Sequence, residues 1–216
     1  MDTSEVWRTI HAERSALADL LESLAPADWD RPSLCDGWRV RDVAAHVISS
    51  PQTGVAAMTK AALRAGGRFH RLTDQEARRL GARPPAEIVA DFRRLDGSRR
   101  HPPGTSVLDP LLDVLVHTQD IAVPLGRRHE MPPAAARTAA NRAWGLPSLF
   151  FPVRKLVQDM RLTATDVDWT RGTGPTVAGP MSALLLLTTG RHAPALPHLT
   201  GDGAPQLTKR LATASR

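Results

Sequence analysis

From Ser4 to Leu24 the apolar residues Val6, Ile10, Leu17, Leu20, Leu21 and Leu24 return at steps of three and four, the repeat that lines one face of a helix. A first amphipathic helix is predicted there. Pro26 and the stretch Asp28 to Gly37, rich in Asp, Pro, Ser and Gly, then read as a loop that ends at Trp38. A second helix is predicted from about Val40, with Val43, Val47 and Ile48 on its apolar face. Asp42 falls in its first turn, where the positive end of the helix dipole favours an acid. Pro51 bends or stops this helix; a small, apolar continuation is predicted from Thr53 to about Ala65, broken by Gly66-Gly67.

Thr73-Asp-Gln-Glu76 has the spacing of a capping box and predicts a short helix that starts there. Ile88, Phe92 and Leu95 mark another after Pro84-Pro85, closed by the turn-rich run Gly97 to Gly104. Asp109 before Pro110 reads as the next start signal, because Pro is tolerated at the first helical position and Asp caps free N–H groups. That helix is predicted to run to about Val123, ended by Pro124-Leu-Gly126, and Pro132-Pro133 opens a last bundle helix toward Trp144.

After Pro152 the pattern changes. Leu162 to Trp169 and Thr176-Val-Ala alternate as short strands do, separated by Gly172-Thr-Gly174. Met181 to Thr189 returns to helix, and Ala204 to Ala212 reads as a terminal one. The fold class is therefore mainly α: a helical bundle over residues 1–152 and a small α+β region over 153–216.

Composition narrows the classes of function. Cys35 is the only cysteine, which excludes an intrachain disulfide and a four-cysteine zinc site and suits a reducing, cytoplasmic setting. The N-terminal segment carries acids where a signal peptide needs a basic start and an unbroken apolar run. The run Met181 to Leu187 is far shorter than the roughly 20 residues needed to cross a bilayer, so no membrane partner is expected. The net charge is +6, but the arginines are scattered and usually accompanied by acids, as in Asp91-Phe92-Arg93-Arg94. Without a basic stripe or aromatic platforms, nucleic acid is not an expected partner.

The candidate chemistry sits on two helices. Asp113 and His117 stand four residues apart, so their side chains leave one face a turn apart and could reach a single ion. A zinc-type catalytic site needs a third protein ligand and an open position. His46, among the small residues Ala44 and Ala45, is the candidate from a facing helix, since bundles build metal sites in this way. A core histidine and a surface Asp–His pair are the plain alternatives. Asp120, three residues after His117, competes with Asp113 as a ligand or holds the other ring nitrogen of His117. Cys35 reads as a small core cysteine, because no His or basic pair lies near it in sequence. His11, His70, His101, His129, His192 and His198 lack partners at ligand spacing and read as structural or surface residues.

The segments Ser33-Leu-Cys-Asp-Gly-Trp-Arg-Val-Arg-Asp-Val-Ala-Ala-His46 and Asp113 to Gly126 resemble the mycothiol-dependent maleylpyruvate isomerase family, whose bundle has the DinB-like four-helix fold. The likeness extends through Leu162 to Trp169 and Gly179 to Arg191. It implies that His46, Asp113 and His117 hold a divalent metal, and it chooses Asp113 over Asp120. It implies mycothiol as the thiol cofactor and Arg191 as a catalytic residue that helps with substrate. The chain departs from the pattern in three respects: the founding isomerase resembles a Glu where this chain has Asp113, relatives often carry Ser or Thr at Arg39, and the C-terminal part is short for a complete domain of its type.

The expected function is a divalent-metal-dependent, mycothiol-dependent isomerase or S-transferase acting on a small electrophile, with zinc the first choice of metal. Its partners would be that thiol and that electrophile, and the protein a monomer or homodimer. A non-catalytic metal- or small-molecule-binding protein on the same bundle is the rival.

Overall fold

The computed structural model describes residues 1–52, 54, 69–147 and 151–214. By their internal contacts they form two compact units, Asp2–His129 and Glu130–Arg216. The continuation predicted from Thr53 to Ala65, with its Gly66-Gly67 break, lies outside the described residues apart from Gly54.

The first unit is helical. Helix α1, Thr3–Glu22, begins at a capping box: the Asp2 carboxylate accepts from Glu5 N–H at 2.8 Å, and Glu5 accepts from Asp2 N–H at 2.8 Å. Its buried stripe runs from Val6 and Trp7 through Ile10 to Leu17 and Leu21, on the predicted face. A short 3-10 turn, Pro26–Asp30, buries Trp29. Helix α2, Val40–Ser49, follows the loop. Arg39 offers no cap for α2, but the fully buried Asp42 compensates: it accepts from Arg39 N–H at 2.9 Å and is clasped by the same guanidinium at 3.0 and 3.1 Å.

Helix α3, Phe69–Gly81, corrects one expectation. Thr73 to Glu76 lie inside it rather than at its start, and Glu76 pairs forward with Arg79 Nε at 2.9 Å. A spacing of three suits a helical side-chain pair as well as a cap, which is why the sequence reading mistook it. Helix α4, Pro85–Arg94, buries Ile88 and Phe92 as predicted. Helix α5, Leu108–Ala122, starts earlier than the Asp109-Pro110 signal suggests. Asp109 lies in its first turn and reaches back to accept from Ser106 N–H at 2.7 Å.

Helices α1, α2, α4 and α5 make a four-helix bundle in which α1 and α2 each pack on both α4 and α5, while α3 packs along α2. That last approach depends on a missing side chain. A Cβ at Gly81 would overlap the Asp42 carboxylate and lie 2.8 Å from Asp42 Cα.

In the second unit, helix α6, Pro133–Gly145, buries an alanine stripe, Ala135, Ala136, Ala139, Ala140 and Ala143. Small side chains let it lie close against α7, Met181–Thr188. The sequence reading gives α6 to the bundle and sets the boundary near Pro152; the contacts group α6 with the C-terminal elements.

Strands β1 (Arg161–Ala164), β2 (Thr170–Arg171) and β3 (Thr176–Gly179) form a sheet in the order β2-β1-β3. β1 runs antiparallel to β2 and parallel to β3, which sets the fully buried Leu162 and Val177 side by side. Helix α7 is apolar on nearly every side, as a helix buried between α6 and this sheet must be. It ends in a Schellman motif: Gly190 at φ +90° lets Arg191 N–H reach Leu186 C=O at 2.8 Å. A short helix α8, His192–Ala195, and helix α9, Ala204–Ala214, complete the unit. No described helix is long and apolar enough to cross a membrane.

Candidate metal centre

The loop between α1 and α2 closes on itself before it meets the rest of the site. Ser33 N–H donates to Trp38 C=O at 2.9 Å, Trp38 N–H returns to Cys35 C=O at 3.0 Å, and Pro32 pairs with Arg39 as an isolated bridge. The Ser33 hydroxyl accepts from Cys35 N–H at 3.1 Å and donates to Trp38 C=O at 2.9 Å. Gly37, at φ +71°, supplies the left-handed residue the turn requires. The closed loop then docks on α5, where Leu34 N–H donates to the carbonyl of Asp120 at 3.1 Å.

This arrangement brings together side chains remote in sequence. His46 projects from α2, and Asp113 and His117 from one face of α5. Asp113 Oδ1 lies 3.2 Å from His46 Nε2 and 3.4 Å from His117 Nε2, and the ligand atoms of all three lie within 4.8 Å of one another. The imidazoles meet edge to face with centroids 5.0 Å apart. Trp38 covers both rings, at 5.3 Å from His46 and 6.4 Å from His117. The side chains remain partly open, 24 % exposed for His46, 25 % for Asp113 and 15 % for His117, as a site that admits a small molecule requires.

The other nitrogen of His117 is committed elsewhere. Nδ1 lies 2.7 Å from Oδ2 of Asp120, whose side chain is fully buried. With its proton donated there, the Nε2 lone pair faces Asp113 Oδ1. Two acceptors so placed repel unless a proton or cation lies between them. Atoms that bind zinc tetrahedrally at about 2.0 to 2.1 Å stand roughly 3.3 Å apart, and the 3.2 and 3.4 Å separations match such edges. The donor set therefore fits a divalent ion.

Charge is distributed to the same end. Burial works against ionisation of Asp113, yet His46, His117 and Arg14 outweigh it and hold the carboxyl below its ordinary range. Burial likewise pushes the His46 imidazole down, but Asp113, with help from Asp120, carries it above its ordinary value. Arg14, on α1 and only 4 % exposed, is lowered by burial and supported by the charge of Asp113. Its Nη1 donates to Ser98 C=O at 3.4 Å, and its Nε has no hydrogen-bond partner among the described residues.

The structure thus brings His46, Asp113 and His117 together and sets Asp120 on the far nitrogen of His117. Arg191 stands in the second unit, partly buried, with Nη1 donating to Thr189 C=O at 2.6 Å. Cys35 departs from its expected place as an apolar core thiol: it is half-buried, 3.1 Å from Asp120 Oδ2 and 3.7 Å from His117 Nδ1. Its histidine neighbour is 82 residues away, so adjacency in sequence could not reveal it. Trp38 and Arg14 were also missed; a tryptophan at the end of a Gly-containing loop just before the histidine helix was the available signal for the first. His129, expected to be structural, pairs with the buried Glu13 at 2.7 Å.

Among solved structures the chain is similar to the crystal structure of the mycothiol-dependent maleylpyruvate isomerase and to that of a point mutant of the same enzyme. Each is 13 % identical at a TM-score of 0.64, with 94 % of both chains covered. At that identity the likeness establishes the DinB-like fold. A search of curated proteins finds no match in sequence. The sequence model described as the mycothiol maleylpyruvate isomerase N-terminal domain matches residues 10–122, more than half of the chain, from within α1 to the end of α5. The chain therefore belongs to the mycothiol maleylpyruvate isomerase N-terminal domain family.

Proposed function

We propose that this protein is a divalent-metal-dependent enzyme that uses mycothiol to isomerise, or to transfer sulfur to, a small electrophilic substrate, with His46, Asp113 and His117 as the metal ligands. The observation that carries the reading is the convergence of the three ligand atoms, with Asp113 Oδ1 at 3.2 and 3.4 Å from the two imidazole nitrogens, on side chains that stay partly exposed. Family membership supports the thiol, and the two imidazoles with one carboxylate suit zinc among divalent ions.

A bound divalent ion supplies the Lewis acidity that keeps a thiol as thiolate near neutral pH. The protein's own groups prepare for it. Asp120 accepts a hydrogen bond from Nδ1–H of His117, which leaves the Nε2 lone pair free to bind. Arg14 offsets the buried charge of Asp113. Trp38 forms an apolar wall over both imidazoles, which limits water at the sulfur. Arg191, with a planar two-pronged donor, is assigned to a substrate carboxylate.

The test is an assay of zinc-loaded protein with mycothiol and maleylpyruvate, following product and free thiol together. An isomerase forms product with no net loss of thiol, and a transferase consumes one thiol for each product. Fully metal-loaded protein that does neither, with this or a panel of other electrophiles, would instead be the non-catalytic binding protein.

A further inference from the structure

Two clusters of potential ligands share the imidazole of His117. One is the proposed metal site on Nε2; the other, on Nδ1, joins Cys35, Asp120 and His117. The separations distinguish their roles. In the second cluster Asp120 Oδ2 lies 2.7 Å from His117 Nδ1 and 3.1 Å from Cys35 Sγ. These are hydrogen-bond lengths, and 2.7 Å is well below the roughly 3.3 Å edge of a tetrahedral zinc site. Cys35 also lies on the side of the ring that faces away from Asp113, because its near atom is Nδ1 at 3.7 Å while that of Asp113 is Nε2 at 3.4 Å. A thiol there is a hydrogen-bond donor to a buried carboxylate.

The position of Cys35 is itself fixed. The closed loop holds its N–H on the Ser33 hydroxyl and its C=O on Trp38 N–H. The residue before it, Leu34, donates its N–H to the Asp120 carbonyl. Consecutive loop residues thus grip the backbone and the carboxylate of one acid. Asp120 has no solvent to orient it, so the donors around its carboxylate decide which way the oxygens face.

We propose that Cys35 is a positioning residue of the metal centre: its thiol orients the Asp120 carboxylate, which fixes the tautomer and the direction of the His117 ring. This rests on the metal reading above. The chain of contacts runs from thiol to carboxylate to Nδ1, and it ends on the Nε2 that faces the ion.

The experiment compares wild type with Cys35→Ala, Cys35→Val and Cys35→Ser, using cobalt(II) as the probe. Far-ultraviolet circular dichroism establishes folding, and Cys35→Val fills the volume should Cys35→Ala lose structure. Cys35→Ala or Cys35→Val is expected to bind cobalt about tenfold more weakly with an altered visible spectrum, as loss of a support behind a ligating histidine does. Cys35→Ser keeps a donor and is expected to restore the wild-type spectrum. In metal-free protein, nitrogen NMR of His117 should report the Nδ1–H tautomer in wild type and Cys35→Ser and a mixture in Cys35→Ala. Wild-type affinity, spectrum and tautomer in Cys35→Ala overturn the proposal. So does a thiolate-to-cobalt charge-transfer band in wild type that disappears in Cys35→Ser, since Cys35 would then be a ligand. Failure of the metal reading looks different: wild type takes up no cobalt, whatever the tautomer.

Discussion

The indole of Trp38 lies nearly parallel to the His117 ring, with 25° between the planes and centroids 6.4 Å apart, while its Nε1–H donates to Asp74 on α3 at 2.8 Å. Asp74 is held below the ordinary carboxylate range by that indole first and by Arg78 as well, against the opposing effect of burial. Tryptophan in such a place should sense the ion. Metal binding is expected to change the intrinsic fluorescence of wild type and to leave that of Trp38→Phe nearly unchanged, although four other tryptophans remain. Asp74→Asn, which weakens the tether, should lower metal affinity by about threefold or less, as an exposed support does. Stopped or equilibrium fluorescence titration with zinc measures both.

Metal content gives the most direct check on the ligands. His46→Ala, Asp113→Ala and His117→Ala should each fall from about one ion per chain to about a tenth of that after dialysis, since losing one of three protein ligands removes most of the binding energy. Asp113→Glu, one methylene longer, should keep its metal. Elemental analysis of the four proteins beside wild type decides; equal content throughout would remove the site.

Gly81 allows α3 to approach α2. In Gly81→Ala the new methyl would meet Asp42, and its 2.8 Å approach to Asp42 Cα cannot be relieved by turning a side chain. The helices must separate, which should cost about 1–3 kcal/mol in urea unfolding, typical of overpacking. Loosening Asp42 would also release Arg39, whose backbone and guanidinium it binds.

Acid stability should depend on Asp91. Burial raises its affinity for a proton, but Arg94 and Arg83, with Gln52, reverse this and hold the carboxyl below its ordinary value. A folded value below the unfolded one stabilises the protein at pH above the unfolded aspartate value, about 3.9, and this is lost as pH falls through the folded value. Asp91→Asn should be less stable than wild type at pH 7 by about 1–2 kcal/mol, because two arginines lose a buried partner. The difference should shrink as pH falls below the unfolded aspartate value, about 3.9, a trend that pH-dependent denaturant titration would read.

The role proposed for Arg191 can be tested apart from metal binding. Arg191→Lys keeps the charge but loses the planar fork, and is expected to lower kcat/KM about tenfold or more while metal content stays at the wild-type level. Unchanged kinetics would overturn the role proposed for Arg191 in binding substrate.

What could be read from sequence divides by distance along the chain. Val6, Ile10, Leu17 and Leu21 announce α1 because a helix is local, and Asp113 and His117 announce a shared face for the same reason. His46 stands out as a candidate by its small neighbours Ala44 and Ala45, but nothing in its own helix says which residue it faces. The roles of Cys35 and Trp38 depend on a loop closing and then meeting a helix from a distant part of the chain, which no spacing rule encodes. At Thr73 and Asp109 the residues have the right chemistry for helix starts but lie one to four positions inside, because acids that pair forward or reach back look alike in sequence. The alanines of α6 mark a face for close packing without naming its partner, and so the helix was assigned to the bundle.

The self-closure of the loop from Pro32 to Arg39 has an evolutionary corollary. Its base is knotted by hydrogen bonds and seated on Asp120, whereas Asp36 and Gly37 at its tip are exposed. Asp36 can therefore change while Gly37, at φ +71°, and the hydrogen bonds of the base keep the bracket beneath it closed. Descendants of one ancestral scaffold can vary this tip without rebuilding what it rests on.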